Sequence, residues 1–111
     1  MQPIKRGEVW WVSFDQALGG EIRKTRPAVV ISNNAANAVL NRVVVVPLTS
    51  RVEKVYPGEA LITAGGRQSK AMADQIMSAS KQRLQKRLDT LSPGDLRAIE
   101  DAVLLHLGIR R

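Results

Sequence analysis

Residues 26–50 read RPAVVISNNAANAVLNRVVVVPLTS, and this stretch decides the fold class. Residues 28–31 and 43–46 are short, apolar, β-branched runs, the pattern of strands buried on both faces. Between them, residues 33–41 fit a short helix. Upstream, residues 8–14 (EVWWVSF) alternate, so that Trp10, Val12 and Phe14 share one face and Val9, Trp11 and Ser13 the other, as in a half-buried strand. Downstream, residues 59–63 and 70–77 predict two further strands, separated by the turn-forming pair Gly65-Gly66. Five strands with little intervening helix favour a small antiparallel, barrel-like sheet. Residues 80–87 fit another short helix. The closing segment is more explicit: Ser92 caps, Pro93 takes the first helical position and Asp95 follows three after the cap. Leu96, Ile99, Val103 and Leu107 then recur at helical spacing until Gly108 ends the run. This amphipathic helix is expected to cover one face of the sheet.

The chain has 111 residues, 44% hydrophobic and 24% charged. That is one domain, residues 1–111, with a core of ordinary size that needs no staples. The absence of cysteine excludes disulfides, thiol catalysis, iron–sulfur clusters and the usual zinc fingers. A single histidine, His106, excludes two-histidine acid–base chemistry within one chain and multi-histidine metal sites. No partner for it is evident nearby in sequence, and it reads as structural. No apolar run approaches the roughly 18–20 residues of a membrane span, and the first residues do not form a signal peptide. A soluble, cytoplasmic protein is expected. Seventeen Lys and Arg against ten Asp and Glu give a net charge of +7, which favours a polyanionic partner. The excess is concentrated in residues 67–87, where six basic groups face only Asp74. A solvated face that only keeps the domain soluble fits the charge equally well.

Two connections are long for a compact barrel. Residues 15–25 carry Gly19-Gly20, Glu21, Arg23 and Lys24 and lead into Arg26; residues 49–58 carry Arg51, Glu53, Lys54 and Tyr56. Arg26-Pro27 and Thr49-Ser50 thus stand at the ends of two strongly apolar strands, where a rigid base can hold polar side chains in fixed geometry. On residue type alone a plainer reading fits: Arg26 pairing with Glu21 or Asp15, and Thr49 closing a strand end through its hydroxyl.

The segments RGEVWWVSFD (6–15), GGEIRKTRPAVVISN (19–33), VVVPLTS (44–50), YPGEALI (56–62), MADQI (72–76) and LGI (107–109) resemble, in this order and over nearly the whole chain, the MazF/PemK toxin family. Its members are ribosome-independent ribonucleases of toxin–antitoxin pairs. The resemblance implies a mainly β fold with α, a Src-homology-3-type barrel of five to seven antiparallel strands with a C-terminal helix, CcdB/PemK-like. It also implies a homodimer, an acidic MazE-like antitoxin as partner, single-stranded mRNA as substrate and no cofactor or metal. The family's catalytic pair maps onto Arg26 in TRP and Thr49 in PLTS, and the Glu of its loop segment onto Glu21. Members with a His in that loop and an Arg two before the Asp of the DQ motif have no counterpart here, because those positions hold Gly20 and Met72; Asp74 remains.

Metal-independent cleavage of RNA uses the substrate's 2′-hydroxyl, which attacks the adjacent phosphorus and expels the 5′-oxygen. Arg26 suits the charge on the phosphoryl oxygens, since a guanidinium holds two oxygens at once and keeps its proton. Thr49 can donate to the same phosphate, and Glu21 is the candidate base. A free Glu titrates at about 4.3, so its surroundings must raise that value for it to act well. Lys24, Ser50, Arg51, Gln75 and Arg83 are candidate RNA contacts, Ser50 and Gln75 toward base edges; Lys54, Lys70, Lys81, Lys86 and Arg87 are further candidates for phosphates. Sequence-specific reading requires unpaired bases. Trp11 has three readings: stacking on a base, a dimer contact or ordinary half-burial. Two alternatives to a sequence-specific endoribonuclease toxin stand beside it, a CcdB-like poison of DNA gyrase and a basic, non-catalytic RNA-binding barrel.

Overall fold

The structure is a computed structural model that describes residues 3–14 and 24–110, Lys24 by its backbone alone. Among them, seven strands and two α-helices follow in chain order: β1 (Glu8–Phe14), β2 (Lys24–Val30), α1 (Asn34–Val39), β3 (Arg42–Thr49), β4 (Glu59–Ala64), β5 (Arg67–Met72), β6 (Met77–Ser80), β7 (Leu84–Thr90) and α2 (Pro93–Leu107). Pairing is antiparallel throughout, in the order β4-β5-β3-β2-β1-β7, with β6 also beside β3. The two outermost strands meet where Gly65 N donates to Asp89 Oδ2 at 2.7 Å, so the sheet curls into a barrel. This is the mainly β fold with a C-terminal helix that the sequence predicts.

The central strands are buried on both faces, as their β-branched runs require. Val9, Val29, Val46, Leu48, Ile62 and Ala71 form the main core together with Ile99 and Val103 of α2. On the other face Val12, Ala28, Val30, Val43 and Val45 form a second cluster, flanked by Trp10 and Phe14 from the predicted stripe of β1. Each such side chain contributes about 1.5–3 kcal/mol relative to exposure. The helix α2 begins and ends where its signals place it. Ser92 Oγ accepts from Asp95 N at 3.1 Å, Pro93 stands in the first turn, and beyond Leu107 the Ile109 N–H returns to Leu104 O at 2.9 Å.

Two expectations fail. Residues 70–77 are not one strand: β5 ends at Met72, a 3-10 turn occupies Ala73–Gln75, and β6 begins at Met77. Both strands pair with the same edge of β3, Val45 opposite Met77 and Leu48 opposite Ala71. Five residues therefore span what two span on β3, and the surplus is taken up by the turn. Pro47 supplies the reason. Lys81 N donates to Asn41 O, so odd-numbered residues of β3 face β6, and the next rung past Val45 needs an N–H at 47 that proline lacks. Residues 80–87 are not a helix either. After a 3-10 turn at Lys81–Arg83, β7 pairs with β1. The run LQKRLDT is rich in good helix formers, but pairing with β1 overrides that local preference, and exposed Lys86 and Arg87 suit an outer strand.

Candidate functional site

At one end of the barrel the main core stops being filled. Along β1 the face that buries Val9 continues to Trp11; along β2 the face of Val29 continues to Pro27 and Thr25; along β5 the face of Ala71 continues to Ser69 and Arg67. These residues, with Leu48, Ala64 and Leu88, bound a cleft of about 440 Å³ rimmed by Arg26, Thr49 and Ser50. It has an apolar floor and a polar rim, in the size range of small-ligand sites.

The cleft opens because two strands part. Ile31 N donates to Val44 O, so odd-numbered residues of β2 turn their backbone groups toward β3. The β2–β3 ladder runs to the pair Ala28 and Pro47. The next rung requires an N–H from residue 27, which is proline. Beyond it Arg26 stays paired with Val12 of β1, while Thr49 pairs with Lys70 of β5. The two residues are thereby held on separate, rigid strands on either side of the opening.

Thr49 Oγ1 accepts from Arg51 N at 3.3 Å. Closing the strand end in this way uses the hydroxyl as acceptor and leaves its proton to donate. Among the described lining residues the cations are Arg26 and Arg67, and none is Asp, Glu or His. Such a rim is able to bind and polarise an anion such as a phosphodiester, and a base is not among the described lining residues. Glu21, the candidate base, lies outside the described residues, as do Gly19-Gly20 and the side chain of Lys24.

The other candidates are not brought into this cleft. Arg51 is exposed just past the rim and Gln75 is exposed on the 3-10 turn, its Nε2 3.5 Å from Met72 Sδ. Arg83 donates to Ser13 O at 3.3 Å. Several proposed phosphate contacts have structural partners instead. Lys70 is buried, with Nζ 3.2 Å from Glu59 Oε1 and donating to Lys54 O at 2.9 Å, 5.9 Å from the centroid of the Tyr56 ring. Arg87 pairs with Glu8 at 3.1 Å, and Lys81 Nζ donates to Asn37 O. In return the cleft adds Arg67 and Ser69, which sequence reasoning missed, and gives Trp11 a wall of it to form. The period-two continuation of the core face was the only signal for them, and it becomes readable once strand register is known.

Glu8, at the other end of β1, is buried. Burial disfavours its charge, but hydrogen bonds from Lys5 N, Trp10 Nε1 and the Arg87 guanidinium, with the charge of Arg87, outweigh that and hold its carboxyl below the ordinary value. Asp89 is likewise lowered, by the N–H groups of Gly65 and Thr90. Among the described residues no three Asp, Glu or His side chains are grouped as metal ligands, and no helix is long and apolar enough to cross a membrane.

The chain is 41% identical to the endoribonuclease MazF9 of Mycobacterium tuberculosis (strain ATCC 25618 / H37Rv) over 115 aligned positions, covering 96% of this chain and 98% of that protein. Its structure is similar to the crystal structure of MazF (Form-I) from Deinococcus radiodurans, with a TM-score of 0.83 at 27% identity over 98% of this chain and 100% of that one. A mycobacterial endoribonuclease in complex with its cognate antitoxin is also similar, with a TM-score of 0.80 at 25% identity over 97% and 98% of the two chains. The model of the PemK-like, MazF-like toxins of type II toxin–antitoxin systems matches residues 5–107, and the chain belongs to that family.

Proposed function

We propose that this protein is a sequence-specific endoribonuclease, the toxin of a type II pair, that cuts single-stranded mRNA without a metal ion. The observation that carries this reading is that Arg26, Thr49 and Ser50 line one cleft, in a chain that is 41% identical to an endoribonuclease. The substrate's 2′-hydroxyl loses its proton to a base and attacks phosphorus; the P–O5′ bond breaks, the leaving 5′-oxygen takes a proton from solvent, and the products are a 2′,3′-cyclic phosphate and a 5′-hydroxyl. Arg26 binds the non-bridging oxygens and stabilises the charge that grows on them. Thr49 donates a hydrogen bond from its hydroxyl to the same phosphate. Glu21 takes the 2′-proton. Trp11 offers an aromatic wall on which a flanking base stacks, and Lys24, Ser50, Arg51, Gln75 and Arg83 contact the strand further along.

The protein acts in the cytoplasm as a homodimer, and an acidic, MazE-like antitoxin silences it. A net charge of +7 attracts such a segment to the surface that RNA would use, and inhibition weakens as salt rises. Incubating the pure protein with a long transcript in EDTA tests the reading. Discrete fragments ending in cyclic phosphate are expected, with no cleavage where a 2′-deoxy sugar replaces the ribose. Intact RNA overturns it: arrested gyrase supercoiling would then point to a CcdB-like poison, and retained but uncut RNA to a binding barrel.

A further inference from the structure

We propose that Arg67 is a second phosphate-binding residue, which holds a phosphate neighbouring the scissile one and positions the strand without acting in the bond-breaking step. The inference rests on the endoribonuclease reading of the cleft. Arg26 and Arg67 are the cations among the described lining residues, and they come from different strands, β2 and β5. Arg26 shares its rim with the hydroxyl of Thr49, so that guanidinium and hydroxyl together serve one phosphate. Arg67 lies at the hairpin end of β5, opposite Ala64 and three residues along the strand from Lys70, the partner of Thr49. Among the described residues no carboxylate lines the cleft to neutralise it.

Its mounting distinguishes it from a side chain that only keeps the surface soluble. Arg67 opens β5 directly after the Gly65-Gly66 turn, and that turn is fastened to its surroundings. Gly65 N donates to Asp89 Oδ2 at 2.7 Å, and Thr63 N, one strand back, donates to Asp95 Oδ2 at 2.9 Å on α2. Gly65 has φ +60° and lies so close to β7 that a Cβ would come within 3.1 Å of Leu88 Cδ1. The hairpin therefore rests on β7, and Leu88 and Gly65 both line the cleft. Alternation along β5 completes the argument: Ala71 is in the core, Ser69 is half-buried in the cleft, and Arg67 comes out on the same side at the rim. A guanidinium on such a base contacts RNA equally in the ground state and in the transition state, so it contributes affinity and not turnover.

The test compares wild type with Arg67→Ala, Arg67→Lys and, as a remote control, Arg97→Ala, whose exposed side chain pairs with Asp101 on α2. Cleavage kinetics are measured on a transcript. Binding is measured against salt with an oligonucleotide spanning a mapped cut, carrying a 2′-deoxy sugar at that point. Arg67→Ala should raise KM about tenfold and leave kcat within about twofold, and should lower the slope of log K against log salt by about 0.7. Arg67→Lys should restore the slope, and Arg97→Ala should change neither quantity. An unchanged slope in Arg67→Ala while wild type cuts RNA overturns the proposal. So does a fall in kcat with KM unchanged, which would make Arg67 part of the chemistry. A wild-type protein that neither binds nor cuts RNA overturns the endoribonuclease reading first, and this inference with it.

Discussion

Arg26 and Thr49 line one cleft because the ladder between their strands stops at the rung of Ala28 and Pro47. Each then keeps a different neighbour, Val12 for Arg26 and Lys70 for Thr49. The separation is built into backbone pairing, so either side chain can be changed without disturbing the frame.

Arg26→Ala should therefore retain its melting temperature within a degree or two, since surface-rim substitutions cost little, yet lose about a hundredfold or more in kcat, as removal of one transition-state donor does. Near-normal turnover by a folded variant would remove Arg26 from the mechanism.

Thr49 separates its two roles by substitution. Thr49→Ser keeps a hydroxyl that can accept from Arg51 N and donate to phosphate, and should cut RNA within a few-fold of wild type. Thr49→Val keeps the shape and loses the donor; its kcat should fall by about ten- to a hundredfold. Equal rates for the two variants would assign Thr49 to the strand end alone.

Gly65 and Gly66 both have positive φ, +60° and +76°, but only Gly65 has a close neighbour. Gly65→Ala meets Leu88 as well as an unfavourable backbone region and should lose about 1–2 kcal/mol in urea unfolding. Gly66→Asn, a residue that tolerates this region and faces open space, should lose less. Equal losses would mean that the approach to β7 is not what the glycine serves.

Stability should fall in acid, and Glu8 sets part of the slope. Its folded carboxyl titrates below the ordinary 4.5, so at low pH the unfolded chain takes up the proton first. The stabilisation is complete above about pH 4.5 and is lost as pH drops through the folded value. Glu8→Gln should lower stability at pH 7 by about 1–2 kcal/mol and flatten the acid limb of a melting-temperature profile. An acid limb unchanged in this variant would place the titrating group elsewhere.

Lys70 is a contrasting cation. With Glu59 and the carbonyl of Lys54 as partners, its removal takes the counter-charge from the half-buried Glu59 carboxylate, which keeps its hydrogen bond from Tyr56 N. Lys70→Met should cost about 2–4 kcal/mol while the salt slope of RNA binding stays at the wild-type value. A lower slope would return Lys70 to the phosphate contacts.

Local chemistry alone was enough for much of the fold. Residues 28–31 and 43–46 read as strands buried on both sides, because a β-branched apolar run has no polar face to turn to water. The limits of α2 were equally plain, since Ser92, Pro93 and Gly108 each satisfy a backbone requirement within a few residues of themselves. Arg26 and Thr49 were legible through the resemblance of whole segments, not through residue type. What the tertiary structure decided is non-local. Pro27 and Pro47 look like ordinary turn residues until register shows which strand edge lacks an N–H, and it is that edge which opens the cleft at Pro27 and splits residues 70–77 at Pro47. The helix-forming run at 84–90 became a strand because β1 offered it a partner. Arg67 and Trp11 joined the site for the same reason: a side chain's face is set by pairing with a strand distant in sequence, and no local pattern carries that information.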